Sequence, residues 1–194
     1  MVMPALRAFG RVWTLDEFYR QRDKASPGDR WEYVDGEVLV TPAPHWVHQR
    51  AVTRLYVVLQ PYVEASGIGE LFAVSPDVRL DARVVLQPDL IIVPPGHLRK
   101  RSDYVNRLVL AVEVLSPGSA HHDRVKKRPA YQRNRVSEYW IVDERSRTVE
   151  RWRPDDERPE ILAERLEWQP EGAYAPLVID LSAYFAGVIP EGDE

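Results

Sequence analysis

Two apolar runs of strand length decide the fold, and each of them carries one acid. The first run reads Pro88-Asp89-Leu90-Ile91-Ile92-Val93, and the second reads Leu108-Val109-Leu110-Ala111-Val112-Glu113-Val114-Leu115. Almost continuous apolar residues over this length are typical of buried strands at the centre of a sheet. A carboxylate in such a strand is costly to bury unless something compensates its charge. Asp89 and Glu113 are therefore the first candidates for a functional site.

The two acids predict a shared metal site if their strands are neighbours. Side chains alternate between the faces of a sheet, so Asp89 and Glu113 can point to the same face. Converging carboxylates repel each other, and a hard divalent cation relieves that repulsion because it prefers carboxylate oxygens. The peptide carbonyl of Val114 is a candidate third ligand. The alternative is that arginine side chains, and no metal ion, pair with the two acids.

A basic segment after the second run supplies a candidate catalytic lysine. Lys127 lies 14 residues after Glu113, and the turn Ser116-Pro117-Gly118-Ser119 allows a helix to fold back across the sheet. An ammonium group there can position water or stabilise developing negative charge. Asp123, four residues earlier, is a further site candidate or simply a helix salt-bridge partner of Lys127. Tyr131, one turn later, either contacts a phosphate or packs in the core.

The remaining pattern predicts an α+β fold with a central mixed sheet flanked by helices. Thr14 and Glu17 form a capping box for a helix that continues to about Arg22. Asp35-Gly36 predicts a tight hairpin turn between strands 31–34 and 37–40. A long helix is predicted over residues 45–65. Pro61 is expected to kink its last turn or end it early, and Gly67 to stop it.

Later elements follow from the same reasoning. Strands are predicted over residues 69–74, 77–80, 84–86, 88–93, 108–115, 138–142, 148–152, 161–166 and 177–181, and a final helical turn over residues 182–185. A second long helix is predicted over residues 121–135. Pro129 interrupts it, so we expect a kink there or a helix that restarts near Arg128.

Length and composition restrict the class of protein. The 194 residues predict one domain that spans residues 1–194. The absence of cysteine excludes disulfides, thiolate metal sites and cysteine nucleophiles, and it suits a cytoplasmic protein. No apolar run reaches the roughly 18 residues of a membrane span, and the first ten residues lack the apolar run of a signal peptide. We therefore expect no membrane association.

The uneven charge points to a polyanionic partner. The net charge is −4, yet residues 121–135 carry a local charge of +5 and residues 96–107 one of +3. Basic side chains thus flank both acids, and we predict that five of them contact nucleic acid: Arg99, Lys100, Arg101, Arg124 and Lys126. The alternative is that these segments are only solvated.

An ordered set of motifs resembles the Uma-type branch of bacterial nucleases, within the PD-(D/E)XK phosphodiesterase superfamily. The match runs from about Trp13 to Phe185 and includes Asp35-Gly36-Glu37, Pro42 with His48, Gln87-Pro88-Asp89-Leu90, Glu113-Val114-Leu115-Ser116-Pro117, Asp123 with Lys127 and Tyr131, and Glu138-Tyr139-Trp140-Ile141-Val142-Asp143. The resemblance implies a restriction-endonuclease-like fold, Mg²⁺ or Mn²⁺ as cofactor, and hydrolysis of phosphodiester bonds in nucleic acid, with DNA preferred to RNA.

The resemblance also implies the catalytic lysine. The superfamily places it two residues after the glutamate, where this chain has Leu115. In the Uma-type branch a helix lysine is thought to take over that role, and Lys127 matches it. The catalytic set is then Asp89, Glu113 and Lys127. Arg135 departs from the pattern because this branch usually has glycine there.

Three further residues match positions of the branch and are candidates for the site. Glu37 is a possible third carboxylate, although a hairpin glutamate is commonly solvated. His48 is a candidate against the alternative of a hydrogen-bonded structural histidine. Gln87 belongs to the motif around Asp89. A nuclease-like module that binds or assembles without catalysis is the alternative function, and a homodimer is the favoured form if the chain associates.

Overall fold

The computed structural model describes residues 7–8, 10–25, 29–41, 44–73, 76–98, 104–116 and 118–189. The helices are α1 (Leu15–Arg22), α2 (Trp46–Ser66), α3 (Arg128–Arg133) and α4 (Leu181–Val188), and a π-helical segment (His122–Lys127) precedes α3. The strands are β1 (Arg7–Ala8), β2 (Arg30–Val34), β3 (Glu37–Thr41), β4 (Glu70–Ala73), β5 (Val78–Asp81), β6 (Val84–Leu86), β7 (Leu90–Val93), β8 (Leu110–Val114), β9 (Glu138–Asp143), β10 (Thr148–Trp152), β11 (Glu160–Leu162), β12 (Arg165–Trp168) and β13 (Leu177–Asp180).

The central sheet has six strands in the order β11-β10-β9-β8-β7-β4. Strands β8 and β9 run parallel, and the other neighbouring pairs are antiparallel. The two apolar runs are its neighbouring strands β7 and β8, whose residues are all buried. The predicted α+β fold with a central mixed sheet is confirmed.

A second sheet has the order β1-β3-β2-β6-β5, and β12 pairs with β13 in a separate hairpin. Asp35 and Gly36 link β2 to β3 with φ values of 50° and 90°. Positive φ at both turn residues matches the twist of a two-residue hairpin, which explains why this dipeptide predicted the turn correctly.

The central sheet is covered on both faces. One face packs against α2 and α4 through residues such as Leu59, Trp140 and Phe185. The other face packs against α3 and part of the second sheet through residues such as Ile91 and Tyr131. Helix α1 covers the outer face of the second sheet. The candidate acids lie on the second of these faces, between the two sheets.

Helix boundaries follow the capping signals closely. The Thr14–Glu17 capping box opens α1 as predicted. Helix α2 ends at Gly67, which has a φ of 66°, a conformation that glycine adopts without strain. The expectation that Pro61 ends this helix early is wrong, since α2 continues through it to Ser66. Within the described ranges, no helix is long and apolar enough to cross a membrane.

The interruption at Pro129 takes the form of a π-helical segment followed by α3. Arg128 donates its N–H to the carbonyl of Asp123, five residues back, and α3 then starts at Arg128. Pro129 has no N–H to donate, so it fits the first turn of a new helix. The predicted restart near Arg128 is confirmed.

Two predicted elements differ from the structure. The strand predicted over 161–166 is divided between β11 and β12, which belong to different sheets. The predicted final helical turn is longer and forms α4, capped by the Asp180 side chain, which accepts from the N–H of Ala183 at 2.9 Å. Asp89 does not lie inside β7 but immediately before it.

Candidate active site

Four carboxylates meet where the second sheet faces the central sheet. They come from β2, from the start of β7, from β8 and from the π-helical segment: Glu32, Asp89, Glu113 and Asp123. Their residues are only 1%, 6%, 3% and 1% exposed, respectively. Burial of four acids requires compensating charge or protonation. Two cations lie among them, Arg30 and Lys127.

Strand register explains how Asp89 and Glu113 come together. Leu90 pairs with Val112 across β7 and β8, and Asp89 donates its N–H to the carbonyl of Val112 at 3.0 Å. Continuing this antiparallel register sets Asp89 opposite Glu113, and directly opposed residues share a face. The acids therefore lie on one face of neighbouring strands, as the sequence predicted, and the register sets them opposite each other.

Asp89 is held by three donors. Its Oδ2 lies 3.1 Å from His48 Nε2 and accepts the N–H of Val114 at 2.8 Å. Its Oδ1 accepts from Arg30 Nη1 at 2.6 Å. Burial alone would raise the pKa of Asp89, but the His48 hydrogen bond, the Arg30 charge and the Val114 N–H together hold it well below its usual range. Asp89 is therefore ionised near neutral pH.

Arg30 lies between the two acids that were expected to share a metal ion. Its Nη2 is 3.6 Å from Glu113 Oε2, while Nη1 binds Asp89. The guanidinium also donates to the carbonyl of Gln87. Burial opposes its charge, but Asp89, Glu32 and Glu113 outweigh this effect and raise the pKa of Arg30. The two acids thus share one arginine.

Lys127 reaches three carboxylates from the π-helical segment. Its Nζ lies 2.7 Å from Glu32 Oε2, 3.0 Å from Glu113 Oε1 and 3.1 Å from Asp123 Oδ1. Burial disfavours the ammonium, yet Glu113, Glu32 and Asp123 raise the pKa of Lys127 well above its ordinary value. Lys127 therefore remains protonated near neutral pH and acts as a cation and a hydrogen-bond donor.

Glu113 carries the charge that is least well compensated. Burial raises its pKa well above the ordinary value; Lys127 lowers it, and Asp123, Glu32 and Asp89 add to the rise. Tyr131 packs in the core between the sheets, and its hydroxyl also donates to Glu113 Oε1 at 3.4 Å, whereas its contact with a phosphate stays a prediction. With His48 counted as neutral, the fully ionised cluster has two more negative than positive charges.

The donor set fits a hard divalent cation in its chemistry. If all four acids are ionised, one such ion would neutralise their excess of two negative charges. Within the ranges that the structure describes, however, no three acidic or histidine side chains are already arranged to hold a metal ion. Val114 contributes its N–H at Asp89, and a metal contact through its carbonyl stays a prediction. Binding an ion would require the Arg30 guanidinium to move.

The other predicted residues lie around this cluster. Gln87 does not reach the acids of β7 and β8 with its side chain, which binds Asp77 Oδ1 at 2.9 Å. Its N–H donates to Glu32 Oε1 at 2.9 Å, so its backbone holds that acid in place. Glu37 is not a third carboxylate of the cluster, since it pairs with Lys126 Nζ at 2.6 Å, at the hairpin end.

The basic residues predicted to bind nucleic acid are only partly described. Arg124 lies 2.5 Å from Glu150 and 3.4 Å from Asp143, and Lys126 pairs with Glu37, so acids partly neutralise both. Arg99, Lys100 and Arg101 lie outside the described residues. Contact of any of these residues with nucleic acid stays a prediction.

Sequence reasoning missed Glu32 and Arg30. Both lie on β2, where Trp31 and Tyr33 pack toward α1 and the alternate residues face the central sheet. Period-two alternation in the hairpin was therefore the available signal. Glu32 stands on the inward face and Val34, two residues later, belongs to the core between the sheets.

Comparison with known proteins agrees with the fold. A family model described as "Uma2: Putative restriction endonuclease" matches residues 15–182. A crystal structure of a "putative nuclease belonging to DUF820" from Anabaena variabilis matches with a TM-score of 0.75 at 19% sequence identity. The match covers 91% of this chain and 99% of that chain, and at this identity it shows a shared fold. No curated protein matches the chain.

Proposed function

We propose that the chain, which belongs to the family described as "Uma2: Putative restriction endonuclease", is a metal-dependent nuclease. It would hydrolyse phosphodiester bonds of nucleic acid with Mg²⁺ or Mn²⁺. The observation that carries the proposal is the buried cluster in which Asp89, Glu113 and Lys127 meet, and in which four acids face only two cations, Arg30 and Lys127. A cytoplasmic location, DNA as the preferred substrate and a homodimer stay predictions from the sequence.

Each side chain has a role that its surroundings support. Asp89 and Glu113 would hold the ion, with His48 and the Val114 N–H fixing the orientation of Asp89. When bound, the ion supplies charge neutralisation and an acidified water at the phosphate. Lys127 is protonated and would therefore position water or stabilise negative charge on the phosphate rather than remove a proton.

Glu32 and Asp123 hold the catalytic lysine rather than the substrate. Both contact its ammonium, at 2.7 Å and 3.1 Å. A side chain fixed by several ion pairs is pre-organised, so no reorganisation is needed when charge develops in the transition state. Their acidic charge also keeps Lys127 from losing its proton.

A cleavage assay tests the proposal. Labelled double-stranded DNA, single-stranded DNA and RNA are incubated with the protein and Mg²⁺ or Mn²⁺, with a chelator as control. We expect metal-dependent cleavage that falls at least about a hundredfold in Asp89→Asn, since removal of one group on which stabilisation of the transition state depends typically costs this much. Cleavage that persists with the chelator, or in Asp89→Asn, would refute the assigned site.

A second function has one observation in its favour. Arg30 already neutralises part of the charge of Asp89 and Glu113 without a metal ion. The same fold could then serve as a binding or assembly module without catalysis. Calorimetric titration with Mn²⁺ separates the two functions, because the module predicts no binding by wild type and no difference from Asp89→Asn.

A further inference from the structure

The position of Arg30 conflicts with a metal ion shared by Asp89 and Glu113. Its Nη1 lies 2.6 Å from Asp89 Oδ1, and Nη2 of the same group is 3.6 Å from Glu113 Oε2. An ion between the acids would need carboxylate oxygens at about 2.1 Å. Such an ion and a guanidinium nitrogen cannot occupy the same side of Oδ1. The other oxygen of Asp89 is already bound by His48 and the Val114 N–H.

We propose that Arg30 is an exchangeable internal cation, which holds Asp89 and Glu113 in the metal-free protein and must leave them when a divalent ion binds. The inference rests on the proposed function, since it concerns the ion of that site. Arg30 is then a positioning residue with two alternative states. In one it is paired with the acids, and in the other it lies away from them. The exchange lowers the affinity of the free protein for the ion.

The exposure of the side chains supports such an exchange. The side chain of Arg30 is 25% exposed, whereas those of Asp89 and Glu113 are 4% and 3% exposed. Arg30 thus lies at the mouth of the cluster, with the acids behind it. In the proposed exchange the guanidinium moves toward this solvent-facing side.

The displaced side chain would remain close to where a substrate must arrive. A phosphate that reaches the acids from solvent has to pass the mouth that Arg30 lines. Guanidinium groups bind phosphate oxygens through two parallel hydrogen bonds, and an exposed phosphate is a better partner than water for a displaced arginine. Release of the ion site and capture of the phosphate are therefore linked through one side chain.

The alternative is that Arg30 is a fixed structural partner of the acids in both states. Removing its charge would then still favour a cation through simple electrostatics. A lysine at this position separates the two explanations, because it keeps the charge but loses the rigid two-nitrogen fork with which Arg30 contacts both acids and the Gln87 carbonyl.

The experiment combines calorimetry with crystallography. Mn²⁺ is titrated into wild type, Arg30→Gln, Arg30→Lys and Arg151→Gln. Arg151 is the matched control because it is likewise a strand arginine paired with an acid, Glu160 at 2.8 Å, and pairs with Trp140, whose side chain lies on the opposite face of the central sheet. We expect Arg30→Gln to bind Mn²⁺ roughly tenfold or more tightly, as loss of a competing charge-assisted hydrogen bond implies. Arg30→Lys should also bind Mn²⁺ more tightly than wild type. Arg151→Gln should bind it with the affinity of wild type.

A crystal structure of wild type with Mn²⁺ gives a result that needs no variant to fold. We expect the guanidinium to have left Asp89 Oδ1. An ion between the acids with Arg30 still bound to Asp89, or Arg30→Lys binding no more tightly than wild type, would overturn the exchange. Cleavage assays of the same samples keep the two proposals apart. Cleavage by wild type with unchanged Mn²⁺ affinity in Arg30→Gln refutes the exchange alone, whereas tighter binding without any cleavage refutes the nuclease alone.

Discussion

Replacement of Lys127 by methionine tests whether this one ammonium holds the acid cluster together. Methionine keeps much of the length and volume of the side chain but removes its charge. Three carboxylates within 3.1 Å of Nζ would lose their shared cation: Glu32, Glu113 and Asp123. Because these acids are almost fully buried, water cannot replace the ammonium. The protein should therefore lose stability even without substrate or metal.

The size of the effect follows from the burial. Breaking a buried ion pair by removing one partner costs about 3–5 kcal/mol. For a domain of this length, each kcal/mol shifts the melting temperature by about 2–4 °C, so the expected fall is roughly 6–20 °C. Lys126→Met is the matched control. Its side chain is 33% exposed, and its ammonium pairs with Glu37, a contact worth about 0–1 kcal/mol.

The loss should depend on pH in a defined direction. Burial raises the pKa of both Glu113 and Asp123 in the folded protein. Without Lys127 these acids gain protons more readily, and a folded state that binds more protons than the unfolded state gains stability as pH falls. The difference between wild type and Lys127→Met should thus shrink from pH 7 toward the unfolded acid pKa values near 4.

Differential scanning calorimetry without added metal, from pH 7 down to pH 4.5, measures this difference. A fall in melting temperature no larger than that of Lys126→Met would show that Lys127 does not compensate the cluster. A large fall that stays constant with pH would show that the lost packing, and not the lost charge, destabilises the variant.

Two further predictions concern the periphery. Replacing Arg99, Lys100 and Arg101 together by alanine should weaken binding of labelled DNA at all sequences and flatten its salt dependence, because these charges would release counterions from phosphates. Filter binding measures both quantities. Affinities and salt slopes equal to those of wild type would show that these residues do not contact DNA. Arg135→Gly should raise the melting temperature by a few degrees, because it relieves a backbone strain of roughly 1–2 kcal/mol at φ 56°, which the greater unfolded-chain entropy of glycine offsets in part, and because the lost ion pair with Asp155 is exposed. Arg135→Ala keeps the strain and loses the pair, so its melting temperature should fall, and a fall in both variants would exclude strain as the cause.

Most of the fold could be predicted because short stretches of sequence determine its elements. The hairpin at Asp35-Gly36, the capping box at Thr14 and the glycine stop of α2 are encoded within a few residues. The elements that differed depend on distant partners. Strand 161–166 is divided because β11 pairs with β10 while β12 pairs with β13, and no local pattern states which sheet a short strand will join.

The residues of the candidate site also differ in whether local sequence or distant contacts reveal them. Asp89 and Glu113 stand out because an acid is unusual in an apolar strand. Glu32 does not stand out, since a glutamate in a short amphipathic hairpin is expected to face water. Its burial depends on the second sheet packing against the central sheet, and that contact joins residues far apart in the chain. Glu37 lies on the same face of the hairpin but at its turn end, where it pairs with Lys126 and does not join the cluster.

There is also a structural reason why the lysine comes from the π-helical segment and not from the position two residues after Glu113. A lysine two residues after Glu113 would share the face of Glu113 on the same strand, where Leu115 instead packs between the sheets. Lys127 approaches from the helix that crosses this face and still reaches Glu113 at 3.0 Å. In the π-helical segment the bond from Arg128 to the Asp123 carbonyl spans five residues, so the backbone there follows a wider turn immediately before Pro129. Asp123 and Lys127 lie one turn apart in that segment, and both face Glu113. A salt bridge between two residues of an exposed helix would not need to face a third, buried acid.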